Sequence, residues 1–354
     1  MMLSPRDAFE VTKAADSIEQ LGNGPLPLVT CDFRRAGDGA LLSPDECRTF
    51  SDALAAPPWV AVALVDDTSP ATAPLASLID HFDVVLAESD TGTTAIAGDP
   101  LRRLDQLEMA VQASPRAAVA LVQLLRVSSD AAVEQALHLE SLTYGLLQTS
   151  ATFQSWLETR GPPTALDQST EPVVATGRDG SLLRIRLARP ERRNALNVAM
   201  RDQLAEALML VGADPSLDGV LLTGEGTNFC AGGDLDEFGT TPSPAIGHHV
   251  RSVRSLPLLM HRVRTKVRVH LHGACIGAGI ELSAFANSVV AHPDTTFCLP
   301  EVGFGLVPGA GGTASITRRC GRQRAAWLAL TGETITADTA LAWGLIDAIR
   351  SFSA

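Results

Sequence analysis

Two glutamates, Glu281 and Glu301, lie twenty positions apart, and each stands in a glycine-rich segment. The first segment is 277–282 (GAGIEL), the second is 300–303 (PEVG), and a third glycine segment, 229–235, lies upstream. Glycine leaves backbone N–H groups accessible to a negatively charged oxygen, and two carboxylates can position a water molecule and transfer a proton. This combination of residues is what chemistry at an acyl thioester requires.

The elements around these residues predict how the N–H groups are presented. Residues 267–271 have the pattern of a strand, and a helix is expected to begin near Gly279, where the first N–H groups have no partner inside the helix. Residues 231–234 offer a second backbone donor in the same way. A structural alternative stays open for both segments: close packing of a helix on a strand for the first, and a turn capped by aspartate for the second.

A third glycine loop, 308–313, also leads into a helix. It is similar to a phosphate-binding loop but lacks the lysine that follows in P-loop enzymes, so we do not expect nucleotide hydrolysis. Glu281 and Glu301 both have apolar neighbours in the sequence, and a carboxylate in apolar surroundings is costly unless it has a partner or a task. This favours a functional interpretation of the two glutamates.

Other catalytic classes lack the residues they need. No G-x-S-x-G segment supplies a nucleophilic serine. The histidines have no metal-binding spacing, and we interpret His270 and His272, which alternate along a strand, as structural. The six cysteines never occur as C-x-x-C, so we expect neither a metal site nor a disulfide framework. These cysteines are Cys31, Cys47, Cys230, Cys275, Cys298 and Cys320.

The chain has 354 residues, of which 45% are apolar and 19% charged, and its formal net charge is −12 at pH 7. This composition is typical of a globular protein with room for two domains. The negative charge argues against nucleic acid or an anionic membrane as the main partner. Residues 1–7 contain an early acid and no long apolar core, and no long uncharged apolar stretch follows, so we expect no signal peptide and no membrane span. We therefore expect a cytoplasmic protein.

The chain divides near residues 161–172, where prolines and glycines predict a linker. Strand and helix patterns alternate from 173 to 354, which predicts an α/β catalytic core. Residues 105–160 have a helical pattern and form a predicted helical module, and residues 1–104 contain strand-like runs. Neither segment shows a catalytic motif, so packing or oligomerisation is the alternative to a direct functional role.

Local signals inside the core are specific. Asp179-Gly180 lies between the strand-like runs 173–176 and 182–187, and this dipeptide favours a tight hairpin turn. Asn197 precedes apolar residues at helical spacing and is expected to cap the helix that they form.

Residues 173–350 resemble the crotonase (enoyl-CoA hydratase/isomerase) family in the order and spacing of five motifs. These motifs are 189–196 (RPERRNAL), 229–235 (FCAGGDL), 273–282 (GACIGAGIEL), 300–313 and 340–347 (ALAWGLID). The resemblance implies an α/β fold, a crotonase-like spiral of ββα repeats, with an additional N-terminal α/β and helical region. It further implies an acyl-CoA thioester as substrate, no cofactor other than the coenzyme A of that substrate, and a homo-oligomer, either a trimer or a dimer of trimers.

The resemblance also assigns roles to individual residues. The backbone N–H groups of Gly233 and Ala278 would form an oxyanion hole, and Glu281 and Glu301 would be catalytic. The residues expected to bind substrate are Ala231, Gly232, Asp234, Leu235, Gly277, Pro300 and Gly309.

The two carboxylates select among the reactions of the family. Its hydratases keep both glutamates, whereas its isomerases, dehalogenases and cofactor-independent oxygenases commonly lack one or both. The resemblance therefore implies an enoyl-CoA hydratase, a hydro-lyase of the fatty-acid-metabolism type. Glu281 would deprotonate the water that attacks C3, and Glu301 would hold that water and deliver a proton to C2. Two alternatives stay open: an isomerase or C–C lyase acting on an unusual acyl-CoA, and a non-catalytic subunit.

The chain also departs from the family pattern. The helices that normally follow the core resemble residues 105–160, so this covering module precedes the core here. Residues 28–100 resemble a degenerate half-copy of the core. Thr159 and Asp236 occupy two positions where the family has lysine, which leaves the contacts to the CoA phosphates unassigned. The loop 238–256, which sets the acyl pocket in the family, does not reveal the acyl group.

Overall fold

The computed structural model describes residues 2–14, 19–20, 22–24, 26–34, 42–66, 73–89, 94–162 and 172–352. The linker predicted at 161–172 lies mostly outside these ranges and stays a prediction. None of the helices in the described ranges combines the length and the apolar character needed to cross a membrane.

Helices and strands alternate along much of the described chain. The strands are β1 (Met2–Leu3), β2 (Leu28–Asp32), β3 (Val60–Val65), β4 (Val84–Ala87), β5 (Ile96–Ala97), β6 (Val174–Asp179), β7 (Leu182–Leu187), β8 (Gly219–Gly224), β9 (Val267–Leu271), β10 (Ala274–Ile276), β11 (Ser288–Ala291), β12 (Thr296–Cys298), β13 (Ile335–Thr336) and β14 (Ala348–Ile349). The helices are α1 (Pro5–Lys13), α2 (Pro44–Leu54), α3 (Ala73–Ile79), α4 (Pro100–Ala113), α5 (Pro115–Ser128), α6 (Val133–Leu147), α7 (Ala151–Arg160), α8 (Val198–Ala213), α9 (Pro244–Val253), α10 (Leu256–Val263), α11 (Ala278–Ser283), α12 (Gly312–Cys320), α13 (Arg322–Thr331) and α14 (Ala337–Ala342).

The largest sheet has six strands in the order β14-β11-β9-β8-β7-β6, all parallel except for the β6–β7 hairpin. Asp179 pairs with Leu182 at the hairpin turn, and Gly180 adopts a φ of 60°, which glycine tolerates without strain. The predicted hairpin is confirmed. The predicted cap is confirmed as well, because the Asn197 side chain accepts the N–H of Met200 at 2.9 Å at the start of α8.

A small sheet, β10-β12-β13, brings the two glutamate segments together. Strands β10 and β12 are parallel neighbours, with Ile276 opposite Cys298. Helix α11 begins at Ala278, separated from β10 by Gly277 alone and one residue before the predicted start, and it carries Glu281. A 3-10 turn that begins at Glu301 follows β12. Because both strands run in the same direction, the segments that leave them lie at the same end of the sheet.

The N-terminal region forms a five-stranded parallel sheet in the order β1-β2-β3-β4-β5. Strands β2, β3 and β4 are buried along their whole length, as expected for a parallel sheet covered on both faces. On β3, Val60, Val62 and Leu64 pack into the main core of the protein, whereas Ala61 and Ala63 pack into a smaller core with the N-terminal helices. The origin of this sheet as a half-copy stays a prediction.

Helices α4 to α7 occupy the region predicted to be helical, and they pack on helices of the C-terminal half of the chain. Helices α5 and α6 pack on α12, and α5 also packs on α13. Leu121, Leu125 and Leu147, expected to need cover, are buried, and Leu139 is partly buried. The assignment of these helices as a separate module stays a prediction, because their core is continuous with that of the following sheet.

A buried ion-pair cluster joins the three regions. The Asp83 carboxylate accepts hydrogen bonds from Arg126 Nε at 2.9 Å, Arg322 Nη1 at 3.0 Å and the backbone N–H of Ala61 at 2.8 Å. The Asp83 side chain is 1% exposed, and those of Arg126 and Arg322 are 5% and 13% exposed. Removing one partner of such a cluster leaves buried charge uncompensated.

Replacing Asp83 by asparagine is therefore expected to lower the free energy of unfolding by about 3–5 kcal/mol, measured by urea denaturation. The matched control is Asp45→Asn, because Asp45 pairs with Arg48 where both side chains are largely exposed. This control should change the midpoint very little. Equal effects of the two substitutions would contradict a structural role for the buried cluster.

Candidate active site

The turn between β10 and α11 admits only glycine at its centre. Gly277 has a φ of 47°, and a Cβ there would lie 2.4 Å from Glu301 Oε1. Its own N–H donates to the Cys298 carbonyl at 2.9 Å, which ties the turn to β12. The next N–H, that of Ala278, has no acceptor among the described residues. The turn therefore presents one unused donor beside a carboxylate.

The second glycine segment is held by Leu196. The Leu196 N–H donates to the Gly232 carbonyl at 2.7 Å, and the Asp234 N–H donates to the Leu196 carbonyl at 3.0 Å. The N–H of Gly233, between these two bonds, has no acceptor in the described part of the chain. A Cβ on Gly233 would lie 2.9 Å from the ring of Phe238, so a larger residue would force this ring to move.

Gly233, Ala278, Glu281 and Glu301 line one cavity of about 230 Å³. The structure thus brings together the two predicted N–H donors and the two predicted carboxylates. Whether the two N–H groups point to a single oxygen position stays a prediction.

Glu281 is 1% exposed and is held through one oxygen. Its Oε2 accepts the N–H groups of Ala310 and Gly312, each at 2.8 Å. Burial raises the pKa of Glu281 to about 7, and the two N–H donors partly counteract this rise. A carboxylate with such a pKa can accept a proton near neutral pH.

Glu301 is 8% exposed, and its Oε2 has no hydrogen-bond partner within the described residues. Burial raises the pKa of Glu301 well above its usual value, and the nearby charges of Glu281 and Glu140 raise it further. Both effects favour the protonated form of this carboxyl group, the form that can donate a proton.

A third glutamate, Glu140 on α6, was not identified as a site residue from the sequence. It is 3% exposed and accepts the N–H of Gly311 at 2.8 Å, the N–H of Thr313 at 3.1 Å and the Thr313 hydroxyl at 2.6 Å. Burial, followed by repulsion from Glu281, raises the pKa of Glu140 to about 8. Four successive N–H groups of the 310–313 loop thus bind alternately to Glu281 and Glu140. None of these four N–H groups is free to bind a phosphate.

The predicted substrate-binding residues lie around the same site. Ala231, Gly232, Asp234, Leu235 and Pro300 line a second cavity of about 480 Å³, which shares Gly233, Asp234, Phe238 and Glu301 with the first. Gly309 lines the first cavity, where a Cβ would lie 2.6 Å from the Tyr144 ring.

Asp234 also has a structural role. It is buried, and it accepts hydrogen bonds from Arg189 Nη1 at 2.6 Å and from Arg192 Nη2 at 3.3 Å. Arg192 and Arg193 line the second cavity and place positive charge there.

His270 on β9 and His272, directly after the strand, have structural contacts. His270 stacks on Phe352 with ring centroids 4.7 Å apart, and His272 Nε2 lies 3.0 Å from the Gly226 carbonyl. In the described part of the chain, no three His, Cys, Asp or Glu side chains group in a way that could hold a metal ion. The expectation of no metal stays a prediction.

Comparison with known proteins identifies similar sequences over half of the chain. The family model described as enoyl-CoA hydratase/isomerase matches residues 177–353. A 1,2-epoxyphenylacetyl-CoA isomerase of Escherichia coli K12 is 37% identical over 169 residues, which cover 47% of this chain and 64% of that protein. A 2,3-dehydroadipyl-CoA hydratase of the same organism is 35% identical over 176 residues, which cover 49% of this chain and 67% of the hydratase.

A mevalonyl-coenzyme A hydratase of Aspergillus fumigatus is 32% identical over 168 residues, which cover 48% of this chain and 62% of that protein. The chain thus spans about two thirds of the length of these relatives or slightly less. The crystal structure of an enoyl-CoA hydratase from Thermoplasma volcanium has a TM-score of 0.47 and 31% sequence identity, and the match covers 51% of this chain and 72% of that one.

Proposed function

The chain belongs to the enoyl-CoA hydratase/isomerase family and has its crotonase-like α/β fold, and from this premise we propose that it adds water across the double bond of a 2-enoyl-CoA. The observation that carries the proposal is that one cavity is lined by two buried carboxyls together with Gly233 and Ala278. Glu281 has a pKa of about 7, and the pKa of Glu301 is raised well above the usual range. Such a pair supplies one base and one acid.

In the proposed reaction, Glu281 removes a proton from the water that attacks C3 of the substrate. Glu301 donates its proton to C2, so the addition leaves Glu281 protonated and Glu301 ionised. Transfer of a proton from Glu281 to Glu301 then restores the starting state. The thioester oxygen, which becomes enolate-like, accepts hydrogen bonds from the N–H groups of Gly233 and Ala278. In an enclosed site each such donor contributes about 2.7–4 kcal/mol to the transition state.

The CoA moiety is proposed to lie along the second cavity. Arg193 there can supply positive charge that Thr159 and Asp236 do not, whereas Arg192 is already paired with Asp234 and Asp236. No further cofactor is required, since the reaction neither oxidises nor reduces the substrate.

The direct test is an assay of crotonyl-CoA hydration. The reaction is monitored by the loss of absorbance of the conjugated thioester. Formation of 3-hydroxybutyryl-CoA supports the proposal. Binding of crotonyl-CoA without any change in it would favour the non-catalytic subunit instead.

Isomerisation is a second candidate, because a relative at 37% identity is named an isomerase. The same two carboxyls could move a proton between carbon atoms without adding water. Proton NMR of the product separates the two reactions. Hydration yields a 3-hydroxyacyl product, whereas isomerisation yields a product with the same molecular formula as the substrate and no added hydroxyl.

We also propose that the protein is a cytoplasmic homo-oligomer, a trimer or a dimer of trimers. Val253 on α9 and Leu146 on α6 are 73% and 69% exposed, and these two helices pack on each other. Apolar side chains exposed on adjacent helices are suited to an interface between copies. Light scattering after size-exclusion chromatography measures the mass, and a monomeric mass would refute this proposal.

The pH dependence of hydration follows from the two carboxyl pKa values. Activity should rise as pH increases through about 7, because Glu281 must lose its proton, and fall at higher pH as Glu301 loses its own. The acidic and basic limbs of the pH profile of kcat/KM report apparent pKa values of the interacting carboxyls as a group, not of single residues. An acidic limb centred near pH 4–5, the range of an unperturbed glutamate, would contradict the assignment of Glu281 as the base.

A further inference from the structure

The cavity that holds the two glutamates continues into a smaller pocket of about 100 Å³. The two cavities share Leu196, Arg201, Arg251, Gly309 and Ala310. Apolar side chains form much of the wall of the smaller pocket: Leu137, Val250, Leu256, Pro257 and Leu282. Arg251 lines both cavities, so a short acyl chain that reaches from the first cavity into this pocket comes near it.

Arg251 is a half-buried cation whose contacts are neutral. Its Nε donates to the Ser141 hydroxyl at 2.9 Å, its Nη2 donates to the Ser141 carbonyl at 3.2 Å, and its Cζ lies 4.7 Å from the centroid of the Tyr144 ring. No carboxylate in the described ranges lies within ion-pair distance of this guanidinium. Burial lowers the pKa of Arg251, and the proximity of Tyr144 and Glu140 only partly offsets this effect.

The other arginines of the pocket differ from Arg251. Arg201 and Arg254 share the carboxylate of Asp202, at 2.8 Å and 3.0 Å. Glu140 also lines this pocket, but its oxygens are bound to the Gly311 and Thr313 donors, and its raised pKa makes it a weak source of negative charge. Within the described residues, Arg251 is thus the guanidinium of this pocket that lacks an anionic partner. Guanidinium and carboxylate groups match in shape and charge.

We propose that Arg251 binds a carboxylate at the far end of the acyl chain, so that the preferred substrate is the thioester of a short dicarboxylic acid. This inference rests on the proposed function for the position of the thioester in the first cavity. The ligand carboxylate neutralises the guanidinium, and its methylene groups contact the apolar wall. A purely structural role, in which Arg251 only connects α9 to Ser141 on α6, requires no such preference.

Binding of saturated acyl-CoA thioesters tests the inference without catalysis. Hexanoyl-CoA and adipoyl-CoA have six-carbon acyl chains and differ in ending with a methyl or a carboxylate. Isothermal titration calorimetry should show that adipoyl-CoA binds roughly tenfold to a hundredfold more tightly, the range of a charge-assisted hydrogen bond. Equal or weaker binding of adipoyl-CoA would overturn the inference.

The variant Arg251→Met retains the apolar length of the side chain and removes the charge. It should lose the preference for adipoyl-CoA and keep the affinity for hexanoyl-CoA, which also shows that the site is folded. Arg251→Lys should retain part of the preference. If Arg251→Met loses both ligands equally, Arg251 is structural and the inference fails.

Turnover separates this inference from the proposed function. Hydration of trans-2-hexenoyl-CoA and of the matching unsaturated adipoyl-CoA with equal kcat/KM would refute the inference and support the function. If neither compound is hydrated but adipoyl-CoA still binds more tightly than hexanoyl-CoA, the proposed function is refuted and the anion-binding pocket is supported. A preference in both binding and kcat/KM supports both.

Discussion

Replacing Glu301 by glutamine is expected to lower kcat for hydration by about 10²–10⁴-fold, the usual contribution of a general acid. Glutamine has nearly the same shape, but its amide cannot deliver a proton to C2. Because Glu301 Oε2 has no partner among the described residues, the substitution breaks no hydrogen bond of that atom. Binding of a saturated acyl-CoA should therefore change little, and the loss should appear in kcat rather than in ground-state affinity.

Glu281→Gln should cause a loss of similar size, because the base that activates the water is removed. The amide oxygen can still accept the N–H groups of Ala310 and Gly312, so the loop should stay in place. The double variant should lose less than the product of the two single losses, since both residues act on one water.

The matched control is Glu225→Gln, the same chemical change at a half-exposed side chain that lies 3.6 Å from Arg186. Stopped-flow or steady-state hydration assays on the four variants give the comparison. Unchanged turnover in Glu301→Gln would remove Glu301 from the proposed mechanism.

Features that depend on neighbouring residues were predicted well from the sequence. The β6–β7 hairpin follows from Asp179-Gly180, and the start of α8 follows from Asn197, because turn and cap preferences are local. The glycines at 233 and 277 also lie where the sequence placed them. Their Cβ positions are occupied by the Phe238 ring and by Glu301 Oε1, so the requirement for glycine is steric.

Glu140 could not be assigned in this way, because its partners are about 170 positions away in the chain. A local signal did exist. Val133, Ala136 and Leu137 recur with Glu140 on the buried face of α6, so a carboxylate stands where an apolar side chain is expected. Such a position indicates a buried charge with a partner, although it does not reveal the partner.

For the 308–313 loop, the sequence pattern indicated a ligand-binding role that the structure does not support. Its glycines made it similar to a phosphate-binding loop, but a sequence pattern does not show which acceptors reach the N–H groups. Glu281 and Glu140 bind four of them, so the loop positions carboxylates instead of a ligand. The role of Arg251 depends in a similar way on Ser141, which lies on a different helix.

Replacing Ala278 by proline is expected to lower kcat for hydration by about 10²–10³-fold, the effect of losing one donor to a developing oxyanion. Ala278 is the first residue of α11, a position where proline is tolerated because its missing N–H would have no helical partner. The substitution thus removes the N–H that lacks an acceptor while the helix can still form. Ala278→Gly is the matched control, since it keeps the N–H, and far-ultraviolet circular dichroism verifies the fold of both variants. Equal kcat values in the proline and glycine variants would show that the Ala278 N–H does not stabilise the transition state.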